Sequence, residues 1–182
     1  HKSYAPKGIA ALLISSAIKD FKQELLMPLI TGGGQEFGLR ASTENVSGIV
    51  GLAKAIELIE ISQAKENIKL QNFKKALQQG ILKVYPKAII NSPPNSTNNI
   101  LNISFPNFNN EELIYKFDKE EIAISAGSAC SAKALKPSHV LKAMNLSSQI
   151  INSAIRISLG KQNSISEVNY FLTKLPEILN KN

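Results

Sequence analysis

An apolar rhythm of helical period constrains this chain more than any other feature. Ile49, Leu52, Ala53, Ile56 and Ile59 recur at the spacing of one helix face, and Leu70, Phe73, Leu77 and Ile81 continue the pattern. The spacing predicts a helix from Glu44 through Ile61 that either runs on as one long rod or is followed by a second helix in series. Thr43 is placed to cap its start, with Glu44 in the first turn where an acid favours the helix dipole. A rod of this kind joins two lobes, with a boundary near Gln79 and Gly80.

The flanking segments are short and alternate in type. Before the helix, His1–Gly8 is a polar, turn-like entry, Ile9–Ile14 reads as a buried strand, and Leu25–Ile30 reads as another strand broken by Pro28. A glycine-rich loop follows, Thr31-Gly32-Gly33-Gly34-Gln35-Glu36-Phe37-Gly38. It lacks a Gly-Lys-Ser/Thr ending, so it is not a nucleotide P-loop, but a threonine at the helix start behind it suits a phosphate. After the helix, Ala88–Ile90, Ile100–Phe105, Ile122–Ile124 and Ala154–Gly160 read as strands. Helices are expected from Asn110 with Leu113, Ile114 and Phe117 inward, around His139–Met144, and after the capping box Ser164-x-x-Glu167. His139 sits among apolar residues and reads as packed or capping rather than as a base. The sum is an α/β chain with a small sheet against helices.

Three residue types stand out for chemistry. Cys130 is the sole cysteine, set among Ala126, Gly127, Ser128, Ala129, Ser131 and Ala132, none large enough to bury a sulfur. Lys133 and Lys136 lie close and favour the thiolate. Arginine occurs twice, at Arg40 and Arg156, in a chain where lysine carries nearly all the positive charge. Each arginine is therefore a candidate for a two-pronged grip on a carboxylate or phosphate. Arg156 and Ser158 face one side of their strand and Ile155, Ile157 and Leu159 the other, and a charge in mid-strand needs a partner or a ligand. For Arg40 the expectation is a salt bridge near the Thr43 helix start. The net charge of +7 comes from scattered lysines without a basic stripe, which argues against nucleic acid as a partner. No apolar run is long enough for a membrane span, and no signal peptide is visible; with one cysteine, these point to a reducing, cytoplasmic setting.

Four separated motifs stand in order along the chain: His1-Lys2-x-x-x-Pro6-Lys7-Gly8, Gly32-Gly33-Gly34-Gln35-Glu36 with Arg40-x-x-Thr43-x-Asn45, Ser125-x-Gly127-Ser128-Ala129-Cys130, and Ile155-Arg156-x-Ser158-x-Gly160. Together they resemble the NifS/IscS-type cysteine desulfurases. The segment running from Cys130 to Pro137-Ser138-His139-Val140-Leu141 is similar to the long-loop group of that family. The resemblance implies the C-terminal half of an aminotransferase-like, fold-type-I protein. Residues 1–60 would end the large cofactor domain, 61–80 would link, and 81–182 would form a small α/β domain carrying the cysteine loop. It implies pyridoxal 5'-phosphate as cofactor, bound covalently by Lys2, which would later move the substrate's α-proton. His1 would contact the phosphate, and Thr43 would donate to the phosphate of a homodimeric partner. Arg156 would grip the carboxylate of L-cysteine, and Cys130 would take its sulfur as a persulfide for an iron–sulfur scaffold or another acceptor.

Selenocysteine lyase, or another lyase of the same fold, is the rival activity, and an inactive fragment or paralogue serving dimerisation or scaffold binding is the rival without catalysis. Two residues depart from the family's pattern: Ala5 and Ser42 stand where glycine is usual, and both are expected to strain the backbone if positive φ is required there. The family's histidine over the cofactor ring and aspartate at its nitrogen have no counterpart in this sequence, so this chain holds only part of the pocket.

Overall fold

The computed structural model describes residues 2–14, 26–126 and 138–180. The periodic stretch is one continuous helix, α1, Val46–Val84. After it come β1 (Ile89–Ile90), β2 (Ile100–Ser104), α2 (Asn110–Lys119), α3 (His139–Ala143), α4 (Ser148–Ile151), β3 (Ala154–Ser158) and α5 (Ile165–Leu179). The chain divides into two compact units at a point within α1: residues up to Gln63 form one, and those from Ala64 the other.

The second unit is built on a three-stranded antiparallel sheet in the order β1-β2-β3. One face of the sheet carries the core: Leu101 and Ile103 on β2 and Ile155 and Ile157 on β3 are buried, while Ser104 and Ala154 are buried on the other face. They share a core with Phe73, Leu77 and Ile81 of α1, Leu113 and Phe117 of α2, and Val168, Phe171 and Leu175 of α5. Phe117 and Phe171 stack with ring centres 5.0 Å apart and planes within 6°. Each fully buried side chain of this size contributes about 1.5–3 kcal/mol relative to exposure. Gly80 lies inside α1, where a Cβ would come within 2.5 Å of Leu172 on α5. The capping box at α5 is formed as expected, with Ser164 and Glu167 answering each other's backbone N–H.

Several expectations are corrected. Residues 9–14 and 26–30 form no strand, and Leu13 and Leu29 are fully exposed; Leu25 lies outside the described residues. A strand needs a ladder beside it, and the described part of the first unit supplies none. Ile122–Ile124 is also not a strand; only Ser125 bridges to Arg156. His139 is exposed at the first position of α3, and Ser138 is the cap, its Oγ accepting from the Leu141 N–H.

Candidate active site

The first unit presents Lys2 and Thr43. Lys2 is exposed in the turn that precedes Pro6 and forms no ion pair among the described residues. Pro6 lies against α1 at Gly51, where a Cβ would come within 2.6 Å of the proline Cγ. Only glycine permits that approach without a shift, so Gly51 sets how closely the Lys2 turn sits on the helix. A glycine inside a helical pattern is the sequence signal for such a contact, and it was readable at Gly51.

α1 starts at Val46, and Asn45, not Thr43, caps it: Asn45 Oδ1 accepts from the Gly48 N–H at 3.0 Å. The Thr43 hydroxyl is exposed and makes no hydrogen bond among the described residues. An uncommitted hydroxyl next to a capped helix start can serve a ligand's phosphate. The glycine-rich loop is closed by its own groups. Gln35 Oε1 accepts from the Ser42 N–H at 3.4 Å, and the Ala41 N–H donates to Ile30 O at 3.2 Å. Arg40 donates through Nη1 to Ala41 O at 3.2 Å, and it forms no salt bridge among the described residues.

The two glycine departures resolve differently. Ser42 has φ +107°, a region that disfavours any side chain. Ala5 has ordinary negative φ and is buried; the left-handed turn there falls on Tyr4, at φ +59°. Strain of this kind costs on the order of 1–3 kcal/mol, and of these two departures Ser42 carries it and Ala5 does not.

The second unit presents Arg156 in the middle of β3. Its backbone N–H and C=O exchange hydrogen bonds with Ser125, which opens the segment leading to Cys130. Its side chain is half-buried, and its Nε is fully shielded with no hydrogen-bond partner among the described residues. None of the ion pairs among the described residues involves it. A shielded guanidinium N–H without an acceptor fits a carboxylate ligand, because a planar fork matches two oxygens. His1 and Cys130 lie outside the described residues. Taken unit by unit, the exposed amine and the uncommitted hydroxyl of the first suit a phosphorylated aldehyde, and the unpaired guanidinium of the second suits a carboxylate.

A model of the class-V aminotransferase family matches residues 1–171, and the chain belongs to that family. Within it, the similarity is to cysteine desulfurases. The chain is 41% identical over 182 residues to the cysteine desulfurase IscS of Clostridium botulinum, which covers 98% of this chain and 44% of that one. It is 36% identical over 181 residues to a cysteine desulfurase of Bradyrhizobium diazoefficiens, covering 100% of this chain and 44% of that one. Among solved structures it resembles a NifS-like protein, 38% identical with a TM-score of 0.73 over 84% of this chain and 38% of that one. A NifS-like protein from Rickettsia africae is 32% identical with a TM-score of 0.72, over 84% of this chain and 39% of that one. The chain thus spans less than half the length of the curated relatives it matches. No helix among the described residues is long and apolar enough to cross a membrane.

Proposed function

We propose that this chain is the C-terminal part of a pyridoxal-phosphate-dependent cysteine desulfurase, acting as a homodimer in the cytoplasm. The reaction takes sulfur from L-cysteine, leaves L-alanine, and loads Cys130 with a persulfide for an iron–sulfur scaffold or another acceptor. The observation that carries this reading is the shielded, unpartnered Nε of Arg156 on the strand bridged to Ser125, in a chain similar to cysteine desulfurases.

When bound, the cofactor supplies an electron sink for the substrate's α-carbon. Lys2 would hold it, and the same amine would move the α-proton. His1 would contact its phosphate, and Thr43 would donate to the phosphate of the cofactor in the partner subunit. Arg156 would fix the substrate through its carboxylate, which keeps the α-carbon in one orientation. The Cys130 thiolate would attack the substrate's sulfur; the carbon–sulfur pair returns to carbon, and a proton completes alanine. Residues 1–60, 61–80 and 81–182 are read as the end of the cofactor domain, the linker and the small domain.

The test is sulfide release from L-cysteine by the intact protein. Cys130→Ser is expected to abolish it while the protein keeps the yellow colour of its cofactor, and Lys2→Ala is expected to lose the colour. Sulfide output persisting in Cys130→Ser overturns the assignment.

A further inference from the structure

Arg156 does not stand alone on its face of the sheet. Its direct cross-strand neighbour is Asn102 of β2. The Arg156 backbone groups bond to Ser125, so the Asn102–Arg156 pair is of the closer, non-hydrogen-bonded kind. Side chains of such a pair share one face, with Cβ atoms about 4.5–5.5 Å apart. On the other side of Asn102 lies Asn91, whose N–H donates to Asn102 O at 2.9 Å.

The orientation of the Asn102 amide follows from a chain of obligatory donors. Ile150 O is a carbonyl and can only accept, so Ser104 Oγ commits its hydrogen there, at 2.8 Å. The Asn91 atom 2.8 Å from Ser104 Oγ must then be a donor, which makes it Nδ2. That same Nδ2 lies 2.8 Å from the Asn102 side chain, so the Asn102 atom it meets must be the acceptor, Oδ1. The arrangement is kept although it leaves the buried Asn91 Oδ1 without a partner. With Oδ1 turned to Asn91, the Asn102 Nδ2 faces away from β1 and has no acceptor among the described residues. Two neighbouring strands therefore present donors side by side, Asn102 Nδ2 and the Arg156 guanidinium, with no acceptor between them.

We propose that Asn102 is a second reader of the substrate's carboxylate, its Nδ2 donating to that group alongside Arg156. This rests on the reading of Arg156 given above. Asn91 and Ser104 act behind it as positioning residues, since they hold the amide so that the donor end is presented. A carboxylate held from two strands is more narrowly selected than one held by a single mobile guanidinium, so Asn102 would sharpen the preference for an α-amino acid over its decarboxylated amine.

The experiment uses the intact protein and measures KM and kcat for L-cysteine, the affinity for L-alanine by titration calorimetry, and thermal stability. Asn102→Ala is expected to raise KM about tenfold, the size of one hydrogen bond to a charged group. Alanine affinity should fall by the same factor, with kcat within about twofold. Asn102→Asp keeps the acceptor for Asn91 and turns the presented donor into an anion, so its effect should be at least as large with the fold intact. If both variants leave KM and alanine affinity unmoved while Arg156→Lys raises KM, Asn102 does not read the carboxylate. A fall in kcat and stability at unchanged KM would equally overturn the proposal, assigning Asn102 a structural role. If Arg156→Lys also leaves KM flat, the reading of Arg156 itself falls.

Discussion

The two ends of α1 carry the same apolar rhythm and meet opposite fates. From Phe73 onward the apolar stripe is buried, with Leu77 and Ile81 fully enclosed by the sheet and by α5. Toward Val46 the stripe is open: Ile49 is 42% exposed and Ile56 54%. Periodicity reports that a segment is helical and which side is apolar; it says nothing about what covers that side. Among the described residues, positive φ in the first unit falls on Tyr4, Glu36, Phe37 and Ser42, whereas in the second unit it falls on Glu121 and on Asn107 and Asn145, asparagine being a residue that tolerates it. Local geometry in the first unit is therefore set by turns and single close contacts, such as Pro6 on Gly51, and in the second by a closed core.

The largest expected effect tests that contrast directly. In this chain Ile81→Ala should cost about 2–5 kcal/mol in equilibrium denaturation, the range for a truncated core residue. Ile56→Ala should stay within about 0.5 kcal/mol. Equal losses at the two positions would erase the distinction between the ends of the helix.

What the sequence made legible follows the same division. The α/β class, the strands around Ile100–Ser104 and Ala154–Ser158, and the capping box at Ser164 were readable because local pattern and burial agree there. Ile9–Ile14 misled because an apolar run shows hydrophobicity without a ladder to pair with. Thr43 misled because two good capping residues lie two positions apart, and only the bond from the Gly48 N–H distinguishes Asn45. Arg156 was legible as a charge in mid-strand. Asn102 carries the same signal, a polar residue between Leu101 and Ile103, but its meaning depends on register, which one strand alone does not display.

A middle-sized effect sharpens the comparison at one residue. Ser42→Gly should stabilise the chain by about 1 kcal/mol, by removing a side chain from positive φ, although glycine loosens the unfolded state. A loss of stability instead would mean that the Ser42 backbone is held without strain.

The smallest effect lies in the second unit and depends on pH. The Ser164 backbone N–H and hydroxyl hold the Glu167 carboxyl below its ordinary value. A depressed carboxyl contributes stability that is fully present above its unfolded pKa and is lost as pH falls through the folded one. Denaturation midpoints across the acid range should therefore drop less steeply in Glu167→Gln than in the parent chain. Parallel curves would remove the capping box from the acid response.

The most direct measurement is the mass of the peptide containing Cys130 after the intact protein has turned over L-cysteine without an acceptor. The account predicts one added sulfur atom on Cys130, removed by a reducing agent and greatly diminished in Arg156→Ala at the same cysteine concentration. An unmodified Cys130 in a protein that still releases alanine would contradict it.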